Sequence, residues 1–577
     1  MPVFTGILAF QPHDDGASLS LPVVTAADRS VFGTFTPDLP ITLNTDSFAL
    51  TQVDALSARF TFRSGDDDVA HLRAATGWPY LQFEAETDVE LELGAPAEAL
   101  DGQADAVRVA GPLADYLVVG EGVEPGTSIT LRAGEVVHVA GLPEAASAGD
   151  IGQLVDGAVR LEGTDTSYGT DASSSWTTYT LVGEGETLFG ARDHQDFGSP
   201  TGVVYETSSG PVVLHAGREF TTSTDAVEVT DRLDLSGLTD DQREELAAMV
   251  EADAAASVFD GGDTYNFGKQ VYRGSTLYRL ALDLGLDEVA ESLAAEIDAA
   301  LGEWSENECE EGAVRCFAYD EVLGSVMGLA PAYGTEMAND HHFHYGYFLH
   351  ALGVMGMEDP GFAERHANLG ALLAAEIAAP ASSERFPQRR SFDDWAGHSW
   401  ASGVAPFADG NNQESTSEAV AAWAGLALWA DSVGDVEAAE QARWMLSFEV
   451  RTAYDYWLDP VWMPEGLDVP MFAMVWDGKR DYATWFSDDP GAMIGIQVIP
   501  APPTMTYLLD DAELASHLVE VAYADRPVEE VTLGDWVLML EAAYDRDGAL
   551  ETALALPEER IDPALSRSYL VAFILAG

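Results

Sequence analysis

Two glutamates, Glu414 and Glu418, stand four residues apart where a polar stretch of the chain becomes apolar. The stretch is DGNNQESTSEAVAAWAGLALWA, residues 409–430. Ser415 followed by Glu418 is typical of a capping box, in which two side chains satisfy backbone N–H groups of a first helical turn. This pattern leaves Glu414 unexplained. Because the segment after Glu418 is apolar on every side, it predicts a buried helix whose N-terminal end is polar.

Three amides, Asn411, Asn412 and Gln413, come directly before Glu414 and offer more hydrogen bonds than a turn requires. Together with the positive end of the following helix, they predict that Glu414 stays ionised. Asn412 and Gln413 are also candidates for contact with a substrate.

A second polar cluster is NDHHFHYGYFLHA at residues 339–351, in which Asp340, His344, Tyr345 and Tyr347 are candidate site residues. Imidazole is the commonest metal ligand, but no HExxH or comparable spacing is present, so the sequence predicts no metal site. The structural alternative is that these histidines and tyrosines tie a helix start to neighbouring loops.

Two further stretches combine aromatic rings with short polar groups. FPQRRSFDDWAGHSWASG (386–403) supplies Asp394, Trp395, His398, Ser399 and Trp400, and VWDGKRDYATWFSDDPGAMIGIQVIPAPP (475–503) supplies Asp477, Tyr482 and Trp485. Sugars present an apolar ring face and a fringe of hydroxyls, so stacking with hydrogen bonding is typical of a saccharide groove. Each Trp or Tyr taken singly is also explained as a core residue.

Three carboxylates therefore compete for chemical roles: Asp340, Glu414 and Glu418. Glycoside hydrolysis needs one carboxylic acid to protonate the leaving oxygen and one carboxylate to act on water or on the sugar. Spacing along the chain does not decide which pair acts.

The elements that must position these residues change character along the chain. Up to about residue 235, short β-rich runs alternate with Gly, Asp and Ser turns, which predicts an antiparallel sandwich. From LTDDQREELAAMVEADAAASV onwards the period is helical. Some helices are amphipathic and others apolar all round, a mixture that predicts inner helices sheathed by outer ones, as in an α/α toroid.

Composition excludes several partners. The 577 residues are 47% hydrophobic, which excludes disorder, and 98 Asp and Glu stand against 27 Lys and Arg, for a net charge of -71. Only Lys269 and Lys479 are lysines. Acidity spread over the whole chain predicts a surface adapted to a very salty medium. Nucleic acid and anionic membranes are poor partners because no basic patch exists.

Cys309 and Cys316 could close a small disulfide loop or remain free thiols. No run reaches the roughly 18 apolar residues of a membrane span, and no signal peptide is visible at the start.

The chain resembles glycoside hydrolase family 81, the endo-β-1,3-glucanases or laminarinases. Five motifs carry the resemblance, in family order across roughly residues 315–505: NDHHFHYGYF, DWAGHSWASG, DGNNQESTSEA, DYATWF and GIQVIP. The resemblance implies an N-terminal β-sandwich (1–195), a small linking α/β region (196–260) and a C-terminal (α/α)6 barrel (261–577). It further implies inverting hydrolysis of β-1,3-glucan without a cofactor.

Carried over by motif, Asp340 is the expected general acid and Glu414 the expected general base. Glu418 either assists Glu414 or is itself the base. Burial beside the aromatic residues of FHYGYF is expected to raise the pKa of Asp340.

The chain departs from the family in lacking the opening strands expected before GILAFQPHDD. Either the gene start is placed too far downstream or the sandwich is trimmed. Since a large glucan cannot enter a cell, the expected location is extracellular, and the expected state is a monomer. The rivals are a polysaccharide lyase on the same architecture and a glucan-binding protein without activity.

Overall fold

The computed structural model describes residues 1–305, 309 and 312–577. Strands occupy the chain up to Asp225, and helices predominate from Asp240 onwards. This confirms the change from strand to helix periodicity that the sequence places near residue 235.

The strands are short and numerous. In chain order they are β1 (Val3–Phe4), β2 (Ala9–His13), β3 (Gly16–Ser20), β4 (Thr25–Ala27), β5 (Ser30–Phe32), β6 (Leu39–Thr42), β7 (Ser47–Val53), β8 (Ser57–Ser64), β9 (Asp67–Ala75), β10 (Tyr80–Ala85), β11 (Val89–Leu100), β12 (Gln103–Ala110), β13 (Asp115–Val119), β14 (Gly126–Leu131), β15 (Val136–Gly141), β16 (Gly163–Thr170), β17 (Ser174–Val182), β18 (Thr187–Ala191), β19 (Val204–Thr207), β20 (Gly210–Gly217), β21 (Glu219–Asp225), β22 (Phe317–Asp320), β23 (Ser325–Gly328), β24 (Phe392–Asp393), β25 (His398–Ser399), β26 (Asn412–Gln413), β27 (Met474–Trp476) and β28 (Lys479–Asp481).

A large antiparallel sheet dominates the first part of the chain. Its strands follow the order β1-β2-β3-β6-β11-β12-β13-β15-β10-β9-β8-β7, and β14 pairs with β11. Its buried side chains form one hydrophobic core together with those of two smaller sheets, β16-β17-β21 and β18-β20-β19. Along β17 buried and half-buried residues alternate, as expected for a strand with one face on a core.

A five-stranded sheet joins the two parts of the chain, in the order β26-β27-β28-β5-β4. Its strands come from residues near 30, near 412 and near 480. The early hairpin β4–β5 is hydrogen-bonded to β28, and β27 links β28 to β26, the segment directly before Glu414. In addition, Gly33 N donates to Gly478 O (2.8 Å) and Tyr482 N to Arg29 O (2.9 Å).

The helices follow. They are α1 (Ala148–Asp156), α2 (Asp240–Ala255), α3 (Thr264–Leu284), α4 (Asp287–Trp304), α5 (His341–Glu358), α6 (Pro360–Ala378), α7 (Thr416–Val433), α8 (Val436–Ala453), α9 (Pro490–Gly495), α10 (Ala512–Tyr523), α11 (Gly534–Glu541), α12 (Arg546–Ala555) and α13 (Arg567–Ala576), with a π-helical turn at Tyr454–Leu458. Together α2–α13 enclose a second hydrophobic core.

Two helices, α5 and α7, pack against each other at the centre of this core. Every residue of α7 from Thr416 to Ala430 is buried, which confirms the buried helix expected from its all-round apolar sequence. Glycines allow the close approach. A Cβ on Gly346 would lie 2.7 Å from Ala422 Cβ, and one on Gly425 would lie 2.6 Å from His350 N. The N-termini of both helices carry the candidate carboxylates.

A disulfide joins Cys309 to Cys316, with 5.8 Å between their Cα atoms, which decides between the two states that the sequence left open. The strands continue through 196–225, so the stretch expected to be a linking region (196–260) holds β19–β21 and the whole of α2. Within the described residues, no helix is long and apolar enough to cross a membrane.

Candidate active site

Asp340 caps the start of α5 in an unusual backbone conformation. Its φ is 58°, in the left-handed region that Asp tolerates better than most residues. Its N–H donates to Ala401 O (2.8 Å), and its C=O accepts from His344 N (3.0 Å). The carboxyl group is half-buried. Burial first, and then the charges of Glu418 and Glu414, raise its pKa well above the usual value, in the direction that the sequence predicts.

Glu414 lies between β26 and α7 and is also half-buried. Its Oε1 accepts a hydrogen bond from Trp485 N (2.7 Å). Burial raises the pKa of Glu414 to about 7, while this hydrogen bond opposes the rise and the charge of Glu418 adds to it. The carboxyl group is therefore poised to gain or lose a proton near neutral pH.

The three preceding amides do not solvate the Glu414 carboxylate. Asn411 Nδ2 donates to Ser402 O (2.8 Å), and Gln413 Nε2 donates to Ser415 O (3.4 Å). Asn412 Oδ1 accepts from Trp485 Nε1 (3.4 Å). The prediction that these amides keep Glu414 ionised is wrong, because they hold the neighbouring loops together and burial raises the pKa instead.

Glu418 is buried in the first turn of α7. Its N–H donates to Ser415 Oγ (3.3 Å), so half of the predicted capping box is present. The other half is absent: its Oε1 accepts from Tyr347 OH (2.8 Å), which frees it from a capping role. Burial raises the pKa of Glu418, opposed by the Tyr347 hydrogen bond and by the charge of Lys269. The carboxyl group thus contacts Tyr347 of α5, not the backbone of its own helix.

The histidine-rich start of α5 is mainly structural. His341 Nδ1 pairs with Glu376 Oε1 (2.9 Å), and Tyr345 OH donates to Val326 O (2.7 Å), so both side chains point into the protein. His344 contacts Thr264 Oγ1 (2.8 Å) and stands against the ring of Tyr265. Among the residues that the structure describes, no group of three or more His, Cys, Asp or Glu could hold a metal ion.

Two partly exposed tryptophans belong to segments whose backbone contacts Glu414 and Asp340. Trp485, next to Glu414, is 56% exposed and packs against Trp476 and Phe407. Trp400 is half-buried, and its Nε1 donates to Asp393 Oδ2 (3.1 Å). These rings offer flat apolar faces beside the reactive groups, as sugar binding requires.

Two aromatic residues escaped the sequence reasoning. Tyr333 is 65% exposed and packs edge-on against Tyr265, with ring centres 5.0 Å apart. Tyr265 in turn contacts Tyr347 and His344. The one available signal was that Tyr333 lies shortly before NDHH in the chain.

Two predicted binding residues lie away from the carboxylates. Trp395 is 1% exposed, belongs to the core of the strand-rich part and donates from Nε1 to Gly190 O (2.9 Å). Asp394 is buried in an ion pair with Arg389 (2.5 Å). Both positions favour a role in joining the two parts of the chain.

His398, Ser399, Asp477 and Tyr482 also make internal contacts. Ser399 Oγ donates to Glu449 Oε2 (2.5 Å), and His398 Nδ1 contacts Ser399 O (3.0 Å). Asp477 Oδ2 accepts from Asn411 N (2.6 Å). Tyr482 lies beneath Arg29, whose guanidinium carbon is 5.4 Å from the ring centre. These residues support the loops around the carboxylates.

Comparison with known proteins gives consistent results. The family model described as "Glycosyl hydrolase family 81 C-terminal domain" matches residues 237–571. A protein from Acetivibrio thermocellus named glucan endo-1,3-beta-D-glucosidase is 36% identical over 272 residues, which cover 45% of this chain and 34% of that protein. A protein of the same name from Thermobifida fusca is 31% identical over 325 residues, covering 55% of this chain and 42% of that protein.

A solved structure described as glycoside hydrolase family 81 from Clostridium thermocellum shares the fold. The match covers 100% of this chain and 84% of that one, with a TM-score of 0.90 and 24% sequence identity. The chain spans about a third to two fifths of the length of the two curated relatives.

Proposed function

Because this chain belongs to glycosyl hydrolase family 81, we propose that it hydrolyses internal β-1,3-glucosidic bonds of β-1,3-glucans such as laminarin and curdlan. One observation carries the proposal beyond family membership. The starts of α5 and α7 bring Asp340, Glu414 and Glu418 so close that the charges of the two glutamates raise the pKa of the aspartate. Carboxyl groups whose pKa values are raised by burial and by one another are typical of catalytic acids and bases.

Asp340 is the proposed general acid. An acid must hold its proton near neutral pH, and burial together with two neighbouring carboxylates favours the protonated form. In this form Asp340 would donate its proton to the glycosidic oxygen as the bond to the leaving sugar breaks.

Glu414 is the proposed general base, and Glu418 assists it. With a pKa of about 7, Glu414 can accept a proton from water at neutral pH while that water attacks the anomeric carbon. Glu418, oriented by Tyr347, would either bind the same water or hold Glu414 in position. The proton lost by the water ends on Glu414, and the proton of Asp340 ends on the leaving hydroxyl.

A single displacement of this kind inverts the anomeric configuration. The proposal requires roughly 6.5–9.5 Å between the acid and base carboxyl groups, whereas about 5–5.5 Å would indicate a covalent intermediate. It also includes the finer architecture implied by the family, with a β-sandwich, a linking α/β region and an (α/α)6 barrel.

The glucan would lie across the N-terminal ends of α5 and α7. Trp485, Trp400 and Tyr333 would stack on sugar rings, while Asn412 and Asp393 accept hydrogen bonds from the two indole N–H groups. No cofactor enters the proposed reaction. We also propose action outside the cell by a monomer, since a polymer of this size is met there.

The decisive experiment uses the whole chain in concentrated salt with laminarin, curdlan, cellulose and a polyuronate. Shortened β-1,3-gluco-oligosaccharides from laminarin and curdlan alone support the proposal. An ultraviolet-absorbing unsaturated product from the polyuronate would identify a lyase. Bound but uncut glucan after long incubation would identify a binding protein.

Variants test the assignment of roles. Asp340→Asn and Glu414→Gln should each lower kcat by a factor of about 10³ or more while glucan binding persists. NMR of the first products should show the α-anomer. Azide should restore cleavage in Glu414→Ala and yield an α-glycosyl azide. If azide rescues Glu418→Ala instead, the two glutamates exchange roles, and a β-anomer would overturn inversion.

A further inference from the structure

Lys269 is an unusual residue in this chain. It is one of only two lysines, yet it lies inside the protein on α3 and is 6% exposed. Its Nζ pairs with Asp562 Oδ2 at 2.8 Å, and both side chains are about nine-tenths buried. Burying a charge costs free energy even when it is paired, so an internal lysine in a lysine-poor chain calls for a local reason.

The surroundings of Lys269 connect it to Glu418. Its Nζ lies 5.0 Å from the ring centre of Tyr265, and the Tyr265 ring centre lies 5.9 Å from that of Tyr347. Tyr347 OH donates to Glu418 Oε1 at 2.8 Å. A series of contacts therefore runs from the lysine to the carboxylate through two aromatic rings, of which Tyr265 is half-buried and Tyr347 is buried.

Backbone packing holds these contacts in place. Gly268, directly before Lys269, lets α3 approach α5: a Cβ there would lie 3.0 Å from Tyr347 Cβ and 3.2 Å from His344 O. Asp562 is fixed as well, because its N–H donates to Asp535 Oδ2 at 2.6 Å. The lysine cannot easily turn away from its position.

The charged groups around Glu418 act in opposite directions. From α3, Lys269 lowers the pKa of Glu418, and from the segment before α13, Asp562 raises it. Glu418 in turn raises the pKa of Asp340 and of Glu414, so a change in the charge of Glu418 alters the protonation of both. Tyr347 stabilises the charged form of Glu418 by donating a hydrogen bond from its hydroxyl group.

We propose that Lys269 is a positioning residue that keeps Glu418 in its charged form, held by Tyr347 beside the attacking water. The inference rests on the proposed function of the same site. A charged Glu418 favours protonated Asp340 and assists Glu414, so the lysine acts on the reaction without touching the substrate.

The test compares Lys269→Met, Lys269→Arg and Asp562→Asn on laminarin across a pH series. Glu414 and Glu418 both act in their charged forms, so the acid limb of kcat reports the ionisation of both. Loss of the lysine charge raises the pKa of Glu418, so this limb should move to higher pH by about 0.5–1 unit in Lys269→Met. Lys269→Arg should restore the wild-type limb. Asp562→Asn removes a negative charge, so its limb should move to lower pH. KM should change by less than about twofold, because no sugar contact is lost.

Arg443→Met is the matched control. Arg443 pairs with Asp431 near the other end of α7, so this change removes a cation beside the same helix but far from Glu418. Its pH profile should equal that of the wild type. Thermal melts of all variants show whether each is folded.

Opposite shifts in Lys269→Met and Asp562→Asn support the inference, because a general loss of packing would move both limbs in the same direction. Limbs that stay at the wild-type pH, or that move together, overturn it. If Lys269→Met does not fold, the direction of the Asp562→Asn shift and the recovery in Lys269→Arg decide. A wild-type protein that cleaves no glucan would refute the proposed function instead.

Discussion

Trp485 has two roles, one through its side chain and one through its backbone N–H, which donates a hydrogen bond to Glu414. The Trp485 side chain is exposed and free to stack on a sugar, whereas its backbone N–H opposes the rise in the pKa of Glu414. The base acts only when ionised, so kcat/KM should fall as the pH drops through about 7, the pKa of Glu414.

Substitutions of Trp485 can separate these roles. Trp485→Ala keeps the N–H, so it should raise KM several-fold with little movement of the acid limb. Trp485→Pro also removes the N–H, so the pKa of Glu414 should rise further and the acid limb should move to higher pH. Steady-state kinetics on laminarin from pH 5 to 9 measure both effects. Equal acid limbs in the two variants would contradict a role for the hydrogen bond.

The raised pKa of Asp340 destabilises the folded protein at neutral pH. Its pKa is raised in the folded protein above the ordinary value of 3.8, so folding is favoured below pH 3.8, and this contribution is lost as the pH rises towards the folded pKa. Asn cannot ionise and resembles the protonated acid. We therefore expect Asp340→Asn to raise Tm by about 1–3 °C at neutral pH and to have no effect near pH 4.

Calorimetric melts at constant salt measure this difference. Asp431→Asn, at the surface end of α7, serves as the control because it removes a carboxylate that is paired with Arg443. A Tm of Asp340→Asn that lies below the wild type at pH 7 would show that the aspartate stabilises the fold.

At the scale of elements, the approach of α3 to α5 supports the position of Glu418. In Gly268→Ala the added Cβ would lie 3.0 Å from Tyr347 Cβ, closer than side chains normally pack, so Tyr347 must shift by a few tenths of an ångström. We expect kcat to fall by about tenfold, because small misplacements of reacting groups are costly.

Gly302→Ala is the matched control for this change. It lies on α4, and no atom of the residues that the structure describes lies within 4 Å of the added Cβ, so it should leave kcat unchanged and stabilise the helix slightly. Both variants gain the same helix propensity, so a loss of activity confined to Gly268→Ala isolates the contact with Tyr347. Equal kcat values in the two variants would contradict it.

The helices and strands were largely predictable because their signals are local. The apolar run after Glu418 predicted α7, and the alternation in SWTTYTLVGEGETLFGA predicted strands at β17 and β18. The half-formed capping box was not predictable, because the carboxylate of Glu418 is taken by Tyr347 from another helix. The prediction that Trp395 binds substrate also failed on a non-local contact. An aromatic residue in a polar motif fits a binding groove or a distant core equally well, and Trp395 lies in the core of the strand-rich part.

At the scale of the molecule, the non-local pairing β26-β27-β28-β5-β4 escaped the sequence entirely. Strands of two or three residues carry no periodic signal, and two of the pairings join distant parts of the chain: Asn412 with Trp476, and Lys479 with Phe32. This sheet connects the β4–β5 hairpin with the loop that delivers Trp485 to Glu414. The strand-rich part therefore supports the proposed site, although the family match begins only at residue 237.

The net charge of -71 acts on the molecule as a whole, and we predict that folding and activity require salt on the order of molar. At 1 M salt the screening length falls to about 3 Å, so repulsion between surface carboxylates is suppressed. The buried pairs Lys269–Asp562 and Arg389–Asp394 are shielded from ions and should persist. Stacking on a neutral glucan is not weakened by salt, so KM should not rise.

Circular dichroism and laminarin turnover across a KCl series measure this requirement, with sucrose of equal osmolality as the control. Sucrose also favours compact states, through its exclusion from the surface, but it screens no charge. If self-repulsion is the cause, KCl should raise Tm and kcat together while sucrose raises Tm much less. A cooperative melt with full activity in dilute buffer would show instead that the acidic side chains are tolerated without screening.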